Sequence, residues 1–169
     1  MRKILFGILL LILALSFPTT ALAAAAGSCV FSADPTNALD PFTRSAVIGV
    51  QVQWVCTADS SGALTTPTIT DTDGNAYAVP RMSGTIRRIQ IVPGTGLSAG
   101  NLYLYSGADT TDDILQGLGG TLSTSNIKTD VPVTTTGKMP RELQKETPTV
   151  KGTGLGSGGI VTLKVLLRW

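Results

Sequence analysis

The sequence predicts an all-β fold: a two-sheet β-sandwich of seven or eight mostly antiparallel strands with one short connecting helix. Three observations predict it. Apolar side chains recur at every second position over 46–57, 101–106 and 160–169, the period of a half-buried strand. Turn formers punctuate those runs at Asp59-Ser60-Ser61-Gly62, Asp71-Thr72-Asp73-Gly74-Asn75 and Pro93-Gly94-Thr95-Gly96. Beyond an apolar leader, only 109–116 carries helix signals, so the remaining elements must bury their faces sheet against sheet.

The chain opens with an export signal over residues 1–23. Arg2 and Lys3 precede an apolar run from Ile4 to Phe17, Pro18 breaks it, and Ala21-Leu22-Ala23 supplies the small residues of a cleavage site. The run covers about 14 residues, short of the roughly 20 that span a membrane. Cleavage after Ala23 is the expectation. Cleavage at Ala25 or Ala26, an uncleaved anchor, and lipidation at Cys29 are the alternatives; for the last, Ala26-Gly27-Ser28 lacks the usual leucine. The expected location is therefore extracytoplasmic: periplasmic, extracellular or on a particle surface, with no stable membrane insertion after cleavage.

Removing Arg2 and Lys3 from the 13 basic side chains leaves 11 against 11 acidic ones. A neutral domain has no long-range attraction for nucleic acid, which is not an expected partner. Cys29 and Cys56 are the two cysteines, and an oxidising compartment favours a disulfide between them. The alternative is a small core residue at Cys56 and a loose thiol at Cys29.

Residues 24–45 read as an irregular leader, rich in alanine and then in turn formers around Pro35 and Pro41, with at most a short edge strand at Val30 and Phe31. The sandwich domain is placed at 46–169. Its first firm strand, 46–57, puts Ala46, Ile48, Val50, Val52, Trp54 and Cys56 on one face. A threonine-rich strand follows near 64–70, and Ala76 to Val79 pairs back across the Asp-Gly turn. From Thr85 to Val92, strict alternation sets Ile86, Arg88, Gln90 and Val92 against Thr85, Arg87, Ile89 and Ile91, so Arg87 and Arg88 point to opposite faces. Residues 101–106 alternate Leu102 and Leu104 with Tyr103 and Tyr105.

Asp109 or Thr110 can cap a short helix to Gln116, with Asp112 and Asp113 in its first turn. A long polar loop region spans 119–150, with weak strands at 121–124 and 131–135 and a turn of helix over 138–145. The glycines at 152–159 read as tight turns and a flexible approach to the last strand. That strand alternates Val161, Leu163, Val165, Leu167 and Trp169 with Thr162, Lys164, Leu166 and Arg168, and a strand this apolar belongs in the middle of a sheet.

The chemical inventory is poor. The chain contains no histidine, which removes the ordinary Ser-His-Asp and Cys-His arrangements, and no catalytic residue, cofactor or metal is expected. The pairs Asp71/Asp73 and Asp112/Asp113 are explained by turn geometry and capping. Asp71, Asp73 and Asn75 begin like a calcium loop, but the glycine falls one place early and Met82 stands where an EF-hand requires glutamate; a hairpin turn is the expectation and weak calcium binding the alternative. Tyr103, Tyr105, Leu166, Arg168 and Trp169 are the interface candidates.

The strand rhythm resembles small β-sandwich auxiliary and structural virion proteins of tailed phages and prophages. The residues that carry the likeness are Val52-Gln53-Trp54, Ser83-Gly84-Thr85-Ile86, Pro93-Gly94, Asn101-Leu102-Tyr103-Leu104-Tyr105, Asp112 to Gly117, Gly119-Gly120 and the closing strand through Arg168. It covers residues 46–169 and carries no catalytic signature. Those proteins are ordinarily assembled in the cytoplasm, so the export signal departs from the pattern. The resemblance implies a non-catalytic structural or interaction protein of an extracytoplasmic, virion or filament assembly, with self-assembly or a structural protein as partner. The alternative is a secreted binding module for a glycan or cell-surface ligand.

Overall fold

A computed structural model describes residues 26–39, 46–107, 110–130 and 140–168. The expected signal segment and Trp169 lie outside the described residues. Nine strands are seen: β1 (Ser28–Leu39), β2 (Ala46–Thr57), β3 (Thr68–Thr70), β4 (Met82–Pro93), β5 (Asn101–Ser106), β6 (Lys128–Asp130), β7 (Glu142–Glu146), β8 (Pro148–Thr153) and β9 (Ile160–Arg168). The larger sheet runs β3-β1-β2-β9-β4-β6, with β7 also on β4; β5 and β8 form the smaller sheet. All pairings are antiparallel except β1 with β3. The fold is thus all-β with two sheets, as expected.

The core lies between the sheets. Cys29, Phe31, Val52, Trp54, Cys56, Ile86, Ile89, Ile91, Val161, Leu163, Val165 and Leu167 point in from the larger sheet, and Leu102, Leu104 and Val150 from the smaller. The last strand is central, between β2 and β4. Both of its edges are therefore hydrogen-bonded, which its apolar faces require.

Five expectations need correction. The segment expected to be an irregular leader forms the long strand β1, paired with β2 from Ser28↔Thr57 to Leu39↔Ala46. Turn-forming residues yield here because the whole length of β2 offers a hydrogen-bonding edge. In β4, strict alternation fails: Ile86 opposes Leu167 and Arg88 opposes Leu166, so Arg87 is an extra, exposed residue in a bulge. The bulge resets the phase and lets Ile86, Ile89 and Ile91 all face the core.

The helix expected at 109–116 is not formed, and no helix occurs among the described residues; 110–119 runs as bends and turns. Ile114 N–H donates to Leu104 O at 2.7 Å as an edge bridge to β5. Gln116 then takes a left-handed φ of 50°, which a right-handed helix cannot accommodate. The polar 119–150 region contains β6, β7 and the start of β8. Residues 142–145, expected in a helical turn, belong to β7; 121–124 is not a strand. The weak strand expected at 131–135 lies outside the described residues. The chain leaves the larger sheet in β7 and joins the smaller in β8, turning at Lys145 with φ 56°.

The glycine run is not a loose approach to β9. It closes one end of the sandwich through backbone hydrogen bonds: Leu155 N–H to Gly62 O at 2.8 Å, Ser98 N–H to Leu155 O at 2.8 Å, Ala58 N–H to Gly159 O at 2.9 Å and Ile160 N–H to Thr95 O at 3.0 Å. Leu155 is fully buried beneath it.

Candidate interaction surfaces

Cys29 and Cys56 form the disulfide expected of them, with an S–S distance of 2.04 Å. They are directly opposite in β1 and β2, and their Cα atoms lie 4.0 Å apart. That short separation marks a non-hydrogen-bonded antiparallel pair. The N–H and C=O groups of Cys29 therefore face away from β2, as do those of every second residue along β1. Gly27 fits this parity, since its carbonyl accepts from Thr68 N–H at 3.1 Å. Pro35 falls on the same parity. Its missing N–H lies on the outer edge, where β2 needs no donor and an incoming strand would.

The smaller sheet repeats the device. Gly152 and Leu64 exchange two backbone hydrogen bonds, so the groups of Gly152, Val150 and Pro148 face away from β5. Pro148 thus removes a donor from the outer edge of β8. On β4, β7 covers Met82–Thr85 and β6 covers Ile89–Ile91. The sheet edges are blunted or covered over much of their length, which leaves the sheet faces as the broader surfaces for contact.

On the outer face of the smaller sheet, Tyr103 and Tyr105 stand side by side with ring centroids 5.5 Å apart and planes 10° from parallel. Leu102 and Leu104 take the inward positions. Lys151 lies opposite Tyr103 and Thr149 opposite Tyr105. Desolvation, and then the nearby Tyr103 and Asp113, push the Tyr105 phenol above its ordinary pKa. Among the other interface candidates, Arg168 is exposed at the described end of β9, whereas Leu166 is largely buried on the outer face of the larger sheet between Gln51 and Arg88.

The carboxylates considered for chemistry serve loops. Asp113 Oδ1 accepts from Leu104 N–H at 3.2 Å and Leu115 N–H at 3.1 Å, and Oδ2 accepts from Gly117 N–H at 3.1 Å. Asp71 Oδ1 accepts from Asp73 N–H at 3.0 Å and Asn75 N–H at 2.8 Å, closing the hairpin turn. These bonds, led by that from Asn75, hold the Asp71 carboxyl below its ordinary pKa. Asp59 caps its own turn through Ser61 and Ala63, and the Ala63 amide contributes most to lowering its pKa. Among the described residues, no group of three or more His, Cys, Asp or Glu is placed to hold a metal ion. No helix there is long and apolar enough to cross a membrane.

Two cations also hold loops, a role no local pattern marks because their partners are remote or are backbone oxygens. Lys128 Nζ donates to the carbonyls of Gly120 at 2.5 Å and Thr121 at 2.9 Å, and reaches that of Leu118 at 3.4 Å. Arg141 grips Asp112 with both terminal nitrogens, and Glu146 lies 3.8 Å away. The Asp112 hydrogen bonds push the Arg141 pKa above its ordinary value, against desolvation of the partly buried guanidinium. This clamp joins the 110–113 bend to the chain entering β7. Arg141→Met is expected to cost about 1–2 kcal/mol in urea unfolding, between the values for exposed and buried pairs. A loss below 0.5 kcal/mol (about the noise of such comparisons) would show that the clamp contributes nothing net.

The outer face of the larger sheet carries two uncharged ranks. One crosses Thr68, Ser28, Thr57 and Ile160; the next crosses Thr70, Val30, Val55, Thr162 and Val92. Every member of both ranks is exposed or half-buried, Val30 being 38% exposed. The following ranks carry polar and charged side chains: Ser32, Gln53, Lys164, Gln90 and Thr129, then Asp34, Gln51 and Arg88 around the largely buried Leu166. No local signal marks this surface, because each strand contributes only one or two of its residues.

No family model matches the chain, and neither the curated proteins nor the solved structures contain a match to it.

Proposed function

We propose that the protein is a non-catalytic structural or interaction protein of an extracytoplasmic assembly, a virion or filament component among the possibilities its strand rhythm suggests. The observation that carries this reading is how the side chains are used. Asp59, Asp71, Asp113, Asp112, Arg141 and Lys128 are engaged in holding the chain's own loops, while one end of the outer face of the larger sheet presents two uncharged, largely β-branched ranks. Exposed β-branched side chains across several paired strands are a means of contact rather than of chemistry. The buried Cys29–Cys56 disulfide supports an oxidising destination.

A second reading is favoured by the stacked Tyr103 and Tyr105 rings: a binding module for a glycan or cell-surface ligand. The carboxylate beside them, Asp113, is occupied by backbone amides, so the rings and Lys151 would carry such recognition. Size-exclusion chromatography with light scattering on the exported chain separates the two. The assembly reading expects a mass above the monomer that grows with concentration. A monomer at every concentration that shifts only on adding glycan would overturn it in favour of the binding module.

A further inference from the structure

We propose that the outer face of the larger sheet is a self-docking surface, occupied by the same face of a second copy of this chain. The inference rests on the assembly reading and names its contact. Its centre is the rank Thr70, Val30, Val55, Thr162 and Val92, flanked by Thr68, Ser28, Thr57 and Ile160.

Charge placement argues for a second copy. The charged side chains on this face, Lys164, Asp34, Arg88, Arg168 and, on β7, Glu142, all lie on one side of the central rank. A two-fold axis along that rank lays each copy's Lys164 rank over the partner's Ser28, Thr57 and Ile160. Like charges are then kept apart and the uncharged rank meets itself, as an isologous contact requires.

Twist argues the same way. Sheets pack face to face when their twists match, with strands about 30° apart, and a second copy has the same twist. The blunted edges at Pro35 and Pro148 oppose the competing route, strand addition.

The contact is small. Five strands at about 4.8 Å spacing and two ranks about 7 Å apart give roughly 300 Å² per copy. The two copies together bury about 600 Å², well below the total of about 1,200 Å² at which stable interfaces begin. The face therefore acts as a weak, concentration-dependent contact, suited to reinforcement by others in a repeating assembly.

The test is sedimentation equilibrium on the exported chain up to about 1 mM, the weak limit of specific association, with Val55→Lys and Thr162→Lys as disrupting variants and Thr149→Lys on the other sheet as control. Circular dichroism and thermal melting establish that each variant folds, and two variants guard against one failing to do so. The expected result is a mass rising from one copy toward two for the native chain and Thr149→Lys. Val55→Lys and Thr162→Lys should remain monomeric. If the native chain associates and both variants associate equally well, the docking face is wrong while the assembly reading stands. If the native chain is monomeric throughout, both fall.

Discussion

Replacing Cys29 and Cys56 together by alanine should lower stability by about 3–4 kcal/mol, the chain-entropy value for cysteines 27 residues apart. For a domain of this size that is a fall in melting temperature of about 10 °C. The position of the bridge explains why the loss should approach the full value. It joins β1 to β2 near the start of β1, where, apart from the ladder with β2, the other strand contact is the three-residue pairing with β3. Both cysteines are buried, one residue pair from the Phe31–Trp54 contact, whose rings meet edge to face at 5.2 Å. Tryptophan fluorescence in a urea titration, read with Trp169→Phe so that Trp54 alone emits, therefore reports the site directly. A loss under 1 kcal/mol, below the usual range for native disulfides, would mean that β1 is held by its ladder with β2 and not by the bridge.

Gly119→Ala should be the most damaging single methyl addition, at about 3 kcal/mol, the upper end of overpacking costs. A Cβ at Gly119 would collide with the Leu102 carbonyl. That obstacle is backbone, on the edge of β5 where Leu102 N–H donates to Gly119 O at 2.8 Å. Neither side can yield without opening the edge of the smaller sheet. Gly74→Ala is the informative contrast. Gly74 has a left-handed φ of 85° and nothing within 4 Å of an added Cβ, so only backbone strain of about 1 kcal/mol applies. Thermal melts of the two variants check the order. Equal losses would refute the close approach of Gly119 to β5.

The parts of the fold legible in the sequence were those with a local cause. Trp54 and Cys56 alternate with Gln53 and Val55, and Leu102 and Leu104 with the tyrosines, because successive strand side chains point to opposite faces. The Asp71 turn was readable because a short carboxylate followed by Asp-Gly bonds its own backbone. Arg87 was misplaced because a bulge breaks that period, although the three-residue step from Ile86 to Ile89 is its trace. Local sequence assigns Asp112 and Asp113 to the first turn of a helix; in the fold Arg141 takes Asp112, and the amides of Leu104, Leu115 and Gly117 take Asp113.

Of the candidate surfaces, the tyrosine pair was visible because both rings come from one strand. The nine-residue outer face was not, because its members come from five strands and are brought together only by register. The alternating faces of β2, β5 and β9, the turns between strands and the cysteine pair follow from local sequence, since period, turn chemistry and residue type act over a few neighbouring positions. The tertiary structure decided the length of β1 through Pro35, the phase of β4 and the neighbours across each rank. Those depend on which remote strand supplies the hydrogen-bonding edge.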